Sequence, residues 1–332
     1  MTARPDTQLA DGPGAPSAGI SRWTDLDGPV RYLDFGGPAD GPVIVCVHGL
    51  GGSAVNWTAT APLLTGTCRV VAPDLAGHGL TRSLGRGTDV ASNRALLHRF
   101  ARSVTGGPVI LMGNSMGGMI SLLEASAAPA TVAGLILVDP ALPFVPARPD
   151  PVVAAMFAVL LTPGLRRAVQ ARRRRQAPAE LVAGVLRLCC ADPSRIDPEV
   201  IARHVEVAAQ RARFPGTEAD FAAAVRSVVR TVGYPLGRAY ARRIRSVTCP
   251  VLLIHGTADR LVPVAAARAA ARANPSWSLR EFPGVGHVPQ LEAPQDTADA
   301  VLEWLGGGGA RPARAARAAR TPAAAAGRDG AL

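Results

Sequence analysis

A short apolar run breaks into small residues and restarts at once as an apolar helical pattern: Val109-Ile110-Leu111-Met112-Gly113-Asn114-Ser115-Met116-Gly117-Gly118-Met119-Ile120. The spacing predicts strand, tight turn, helix. Within it, Gly113 to Gly117 reads G-x-S-x-G, the pattern of a nucleophile elbow. A residue at the tip of so tight a turn sits in a strained backbone conformation, so its neighbours two positions away must lack bulk, and glycine stands on both sides. The turn lifts the Ser115 hydroxyl clear of the sheet. It also sets the Met116 N–H at a helix N-terminus, aimed where a negative oxygen would form. The bland alternative is a glycine-rich connection with a bystander serine. The strand before and the helix after favour the chemical reading.

At 332 residues the chain can bury a large core, and it suits one α/β domain with an insertion better than two equal domains. No apolar run reaches the ~18 residues needed to span a bilayer. The start, Met1 to Asp6, lacks a charged-then-apolar pattern, so no secretion by that route is expected. Five cysteines (Cys46, Cys68, Cys189, Cys190, Cys249) are scattered without metal-ligand spacing. They read as free thiols in a reducing compartment, and a cytoplasmic location follows as the expectation. Residues 1–19 and 306–332 read by composition as a disordered leader and a disordered basic tail.

Sequence runs predict seven strands of a doubly wound, mostly parallel sheet. They are Val30–Phe35 at an antiparallel edge, Pro42–Val47, Arg69–Pro73, the run before the elbow, Val132–Val138, Pro250–Ile254 and Ser278–Phe282. Helices are expected over Trp57–Leu64, Thr88–Val104, Met116–Ala127, Val264–Ala273 and Leu291–Leu305. The core is therefore 20–143 plus 246–305. Between them, over 144–245, strand runs vanish and Ala, Arg, Val and Leu recur at helical spacing. This insertion holds 18 arginines against 8 acidic residues, nearly the whole of the +11 net charge. It reads as a helical lid. Its apolar stretch Val152–Leu161, followed by Arg166, Arg167 and Arg172 to Arg175, either packs down on the core, lines a pocket or touches a membrane. The charge fits a solvated face, an anionic substrate or an acidic surface. Few aromatics and no recognition motif argue against nucleic acid.

Chemistry-bearing residues collect at the C-terminal ends of the expected strands, the ligand-binding rim of such a sheet. His48-Gly49-Leu50-Gly51-Gly52-Ser53 follows one strand, and its glycines let backbone approach a ligand. The Leu50 N–H, or alternatively that of Gly51, would join Met116 as second oxyanion donor. His48 reads as orienting rather than basic, and Asp74 and His78 as loop-shaping. Asp139 ends another strand and reads as a structural or back-up acid. His98 reads as a surface residue, and Cys189, Cys190 and His204 as core or surface residues. Asp259 and His287 follow the last two strands. Ser115, Asp259 and His287 in that order are one triad: the serine needs an adjacent base, His287 takes and returns its proton, and Asp259 holds the other ring nitrogen. No metal or organic cofactor is required.

At these residues the chain resembles the α/β-hydrolase fold superfamily, in its lid-bearing serine esterase/lipase-like group, over about residues 28–305. The resemblance rests on His48-Gly49-Leu50-Gly51-Gly52, Asp74-Leu75-Ala76-Gly77-His78-Gly79, Gly113 to Gly118, Gly256-Thr257-Ala258-Asp259 and Gly284-Val285-Gly286-His287. It implies an eight-stranded sheet and a serine hydrolase acting on a carboxylic ester or related acyl bond. Serine at the elbow argues against the epoxide hydrolase and haloalkane dehalogenase branches. A carbon–carbon bond hydrolase, lactonase or perhydrolase would use the same residues, and a ligand sensor on the same fold is the alternative from another class. The substrate is a small ester or acyl compound, apolar or anionic. Acyl chain, leaving group and oligomeric state are not specified by the sequence.

Overall fold

The structure is a computed structural model; it describes residues 18–143, 150–173, 175–233 and 235–308. The expected leader, up to residue 17, and most of the expected basic tail lie outside the described residues. The strands are β1 (Ile20–Asp25), β2 (Pro29–Gly36), β3 (Val43–Val47), β4 (Arg69–Pro73), β5 (Val109–Asn114), β6 (Val132–Val138), β7 (Val251–Gly256) and β8 (Ser278–Phe282). The helices are α1 (Ala61–Leu64), α2 (Val90–Val104), α3 (Met116–Ala127), α4 (Pro151–Leu161), α5 (Pro163–Arg173), α6 (Pro178–Cys189), α7 (Pro198–Arg211), α8 (Thr217–Val232), α9 (Leu236–Arg245), α10 (Val264–Ala273), α11 (Pro289–Glu292) and α12 (Pro294–Gly306).

The strands form one sheet in the order β1-β2-β4-β3-β5-β6-β7-β8. β1 and β2 run antiparallel to their neighbours, and β4 through β8 are paired parallel. Side-chain alternation splits each apolar run between two cores. Val45, Val47, Leu111, Leu135, Leu137 and Leu253 pack with Leu97 and Phe100 of α2 and Met119 and Ile120 of α3. Ile44, Cys46, Ile110, Met112, Ile136, Val138, Leu252 and Ile254 pack on the other face with Trp57, Leu64 and, from α12, Ala298 and Val301. A strand covered on both faces must be apolar throughout, and that is why these runs are continuous.

Three expectations are corrected. Val30–Phe35 is not the sheet edge, because β1 lies outside it, paired from Ile20↔Asp34 to Asp25↔Pro29. β1 is Ile-Ser-Arg-Trp-Thr-Asp with both faces largely in solvent, so it carries no apolar run. The hairpin turn was nonetheless written as Asp27-Gly28, with φ of 56° and 116°, the positive-φ pair such turns demand. The helix expected over Trp57–Leu64 is a 3-10 turn, Ala54–Trp57, followed by α1. The helix expected over Leu291–Leu305 is α11 followed by α12. In both, a proline (Pro62, Pro294) lacks the N–H that a continuous helix needs and sits instead in a new first turn.

Helices α4 to α9 all fall between β6 and β7 and are tied to the core around the sheet's C-terminal rim. Tyr240 Oη donates to the Ala141 carbonyl at 3.0 Å. Thr88 Oγ1 donates to the Asp220 carbonyl at 3.1 Å, and Arg211 donates to the carbonyls of Gly79 and Gly77. A small apolar cluster of Leu186, Cys190, Ile196 and Val200 packs on Val288 and Leu291, directly after His287.

Candidate active site

The elbow is built as its spacing requires. Ser115 has φ 54° and ψ −117°, between β5 and α3. L-residues rarely adopt such a backbone, and it persists only where the surroundings over-determine it. Here they do. The Ser115 N–H donates to the Val138 carbonyl at 3.1 Å, and its own carbonyl accepts from Ala141 at 2.9 Å and Met119 at 3.1 Å. A Cβ on Gly117 would lie 2.1 Å from the Val47 carbonyl oxygen, and one on Gly113 would lie 2.5 Å from that of Gly117. Only glycine fits either place. Ser115 itself is half-buried.

His287 Nδ1 and Asp259 Oδ2 are 2.7 Å apart, both residues buried. Asp259 Oδ1 accepts the N–H groups of Leu261 at 2.7 Å and Val262 at 3.0 Å, which aims the other oxygen at the imidazole. Burial alone would raise this carboxyl, but the charge and hydrogen bond of His287 outweigh it and hold Asp259 below the ordinary carboxylate range. The elbow and the histidine loop are stapled together by Asn114. Its Nδ2 donates to the carbonyls of Val138 and His287, each at 3.0 Å. The Gly-rich loop after β3 closes the third side: a Cβ on Gly49 would stand 3.1 Å from Ser115 Cβ. The sequence-predicted Ser115, Asp259, His287, Leu50 and Met116 therefore gather from four connections on one rim. The Met116 N–H belongs to the first turn of α3, where intrahelical partners are missing.

Asp139, at φ 44°, is fully buried beside Asp259. Its Oδ1 accepts the Gly256 N–H at 3.0 Å. Burial first, then the charge of Asp259, pushes Asp139 well above the usual carboxylate range. Two buried carboxyls this close do not both ionise. Asp139 keeps its proton and presents it to Asp259. His255 Nε2 donates to the Val262 carbonyl at 2.9 Å, and stands 3.5 Å from Asp139 Oδ1 and 3.6 Å from Asp259 Oδ2. Burial keeps this imidazole neutral, its pKa lowered. Ligand atoms of Asp139, His255 and Asp259 lie within 4.8 Å of one another. The Gly256 N–H on Asp139, the Val262 carbonyl on His255 and the His287 ring on Asp259 make the cluster read as the support of the acid.

The loop residues do structural work. Leu75 N–H donates to His48 Nε2 at 3.0 Å, which leaves the His48 proton on Nδ1, donated to the Gly49 carbonyl at 2.8 Å. His48 thus shapes the loop that carries Leu50 and is not a base. Asp74 accepts from the Ala54 N–H, the Leu80 N–H and the buried Arg31 guanidinium. His78 packs on His48 with ring centroids 5.5 Å apart, and burial pushes its pKa down to about 3. His98 is part-exposed and binds Glu124 at 2.6 Å. His204 caps back onto the Val200 carbonyl of its own helix.

Two residues escape the sequence reading. Glu292, buried at the end of α11, accepts the N–H groups of Gly286 at 2.8 Å, Asp192 at 2.9 Å and Ala191 at 3.1 Å. It ties the residue before His287 to the insertion. The His287 N–H itself donates to the Cys189 carbonyl at 2.6 Å. Phe221 of α8 lies over the oxyanion loop, 3.1 Å from where a Gly51 Cβ would be. A glutamate at the expected start of a helix and a phenylalanine at helical spacing are ordinary features of a sequence, and neither motif nor spacing marks them.

Residues 44–300 match the family model described as "Alpha/beta hydrolase family". The chain belongs to the alpha/beta hydrolase family. It is similar to the magnesium-chelatase 30 kDa subunit of Rhodobacter capsulatus, 29% identical over 82% of this chain and 89% of that protein. It is also similar to the pimeloyl-[acyl-carrier protein] methyl ester esterase of Aromatoleum aromaticum, 29% identical over 77% of this chain and 95% of the relative. A 2-hydroxy-6-oxo-6-(2'-aminophenyl)hexa-2,4-dienoic acid hydrolase of Metapseudomonas resinovorans is 28% identical over 87% and 92%. Among solved structures, a thermophilic esterase from Thermogutta terrifontis superposes with a TM-score of 0.63 at 25% identity, over 86% of this chain and 98% of that one. With esterases among its relatives on one fold, this family member is a hydrolase.

Proposed function

We propose that this hydrolase cleaves a carboxylic ester through an acyl-enzyme on Ser115. The observation that carries the reading is the His287–Asp259 contact at 2.7 Å, on a histidine whose backbone Asn114 binds to the elbow. With Nδ1 committed to Asp259, Nε2 is the nitrogen that takes the Ser115 proton. Oγ attacks the ester carbonyl, and the N–H groups of Leu50 and Met116 bind the oxyanion, each worth about 3 kcal/mol of barrier. The imidazolium returns the proton to the leaving alcohol, and the C–O bond breaks. Water, deprotonated by the same nitrogen, then releases the acid. Asp259 stays ionised and stabilises the imidazolium. Helices α4 to α9 act as a lid over this rim, with Phe221 above the oxyanion loop. The five free cysteines support a cytoplasmic location.

A second reading uses the same residues on a carbon–carbon bond, and the Metapseudomonas relative favours it. A fluorophosphonate probe labels Ser115 on either reading, and labelling disappears in Ser115→Ala and in His287→Ala. Labelling that survives Ser115→Ala refutes both. A panel of aryl and alkyl esters set against vinylogous 1,5-diketones separates them: turnover of the esters supports the first, and turnover of the diketones alone supports the second.

A further inference from the structure

Helix α4 is eleven residues of Pro-Val-Val-Ala-Ala-Met-Phe-Ala-Val-Leu-Leu, and only Val153 among them is buried. An apolar helix of a water-facing protein normally hides a stripe. This one leaves Val152 57% and Leu161 39% exposed, and α5 adds Leu165 at 53% and Val169 at 38%. The two helices are bent against each other by 103° at Thr162. At 1.5 Å per residue α4 is about 16 Å long, roughly half a bilayer's hydrocarbon thickness. Neither helix of this bent hairpin is long enough to cross a bilayer by itself. The charge beside it has one sign. Arg166, Arg167 and Arg172 to Arg175 follow α4 in the sequence, and no acidic residue intervenes between Asp150 and Glu180. Arg167, Arg172 and Arg175 are exposed.

The hairpin is rooted at the candidate site. Asp150 caps α4 by accepting the N–H groups of Val152 and Val153, and it also pairs with Arg260, at 2.8 Å from Nε and 3.3 Å from Nη2. Arg260 directly follows Asp259. The inner side of α4 rests on α8, the helix that carries Phe221.

We infer that the α4–α5 hairpin docks this protein on an anionic lipid surface. Val152, Leu161, Leu165 and Val169 enter the headgroup–acyl boundary, and the exposed Arg167, Arg172 and Arg175 meet lipid phosphates. Charge complementarity selects this occupant. A second copy would set the same arginines against each other, and a neutral apolar partner would leave them unmatched. The docking is independent of which bond Ser115 attacks.

The test is co-sedimentation of the full chain with vesicles of pure phosphatidylcholine and of phosphatidylcholine with 30 mol% phosphatidylglycerol. Binding to the anionic vesicles at least tenfold above the neutral ones is expected, since each arginine near such a surface contributes about fivefold. Val152→Ser with Leu165→Ser, and separately Arg167→Gln with Arg172→Gln, each lower that partition at least tenfold. Hydrolysis of a soluble short-chain ester stays unchanged in both. Equal partition to the two vesicle types overturns the inference. So does binding that persists in both variants, which assigns it to arginines elsewhere, such as those of the C-terminal tail. Absence of vesicle binding with self-association lost in Val152→Ser/Leu165→Ser gives the face to a second copy and overturns it as well. Turnover of the short ester in every case keeps the outcome separate from that of the proposed chemistry.

Discussion

Two buried aspartates flank His255, only Asp259 of them contacts His287, and their protonation decides their roles. Asp259 is drawn down by His287 after its burial is overcome, and Asp139 is pushed up by burial and by Asp259. One is then the anion that stabilises an imidazolium, and the other is a neutral donor beneath it. Asparagine mimics the second and not the first. Asp259→Asn is expected to lower kcat by about 10⁴, the scale of losing the acid of a serine triad. Asp139→Asn keeps an acceptor for the Gly256 N–H and a donor for Asp259, so kcat stays within about tenfold of the parent, a difference near 1.4 kcal/mol. Steady-state kinetics on a soluble ester measures both. An equal loss in the two variants would show that Asp139 is also ionised in the working enzyme. The order Ser115, Asp259, His287 was readable along the chain. Which of two strand-end aspartates faces the imidazole was weighed there from position alone, and only the 2.7 Å contact distinguishes them.

At the level of elements, the turn between β5 and α3 and the segment around α11 are held by different physics. The turn is a matter of space. Gly117→Ala would push a methyl group to 2.1 Å from the Val47 carbonyl oxygen, which belongs to backbone and cannot swing away. The expected outcome is a loss of several kcal/mol of stability, in line with overpacking at a rigid site, seen as a large drop in chemical denaturation midpoint. α11 is a matter of hydrogen bonds. Glu292 alone satisfies Gly286, Ala191 and Asp192, so Glu292→Ala orphans three N–H groups, each costing about 1–3 kcal/mol when buried. Because Gly286 precedes His287, kcat should fall with KM little changed, and Glu292→Gln, with one carbonyl oxygen left, should recover part of it. A parallel fall of kcat in the Ala and Gln variants would remove the positioning role. The elbow glycines could be assigned from sequence because the Gly-x-Ser-x-Gly pattern is local, although the Val47 carbonyl that excludes a side chain at Gly117 lies seventy residues away. Glu292 could not, because its partners at Ala191 and Asp192 are about a hundred residues away.

For the molecule as a whole, acid is the informative stress. Burial lowers the pKa of His48, His78 and His255, that of His78 to about 3. In the unfolded chain these imidazoles protonate near 6.5. Below that pH the unfolded state binds more protons than the folded state, so stability is lost as pH falls towards the folded values. Each histidine contributes a slope of up to about 1.4 kcal/mol per pH unit. Thermal melts between pH 7.5 and 5 should therefore show a falling Tm. His78→Asn, whose amide can still donate to the Ala76 carbonyl, should flatten the curve, and a Tm independent of pH in the parent would contradict the neutral buried imidazoles.

Taken alone, the sequence determined what is local or periodic. The apolar runs of β3 to β7 fix a parallel sheet covered on both faces, and the Gly-x-Ser-x-Gly spacing fixes the strained turn. The arginine-rich, strandless stretch between β6 and β7 marks the helical insertion. These are properties of adjacent residues, and packing does not have to be known to read them. Tertiary structure decided the rest. It hid β1 at the sheet edge, where a solvated strand needs no apolar run and only Asp27-Gly28 announces it. It set Asp139 beneath Asp259 and closed Glu292 on both the insertion and the histidine loop. It left all of α4 but Val153 uncovered. In each case the energy comes from groups far apart in the chain meeting at low dielectric or failing to be covered, and no window of sequence contains both sides of such a contact.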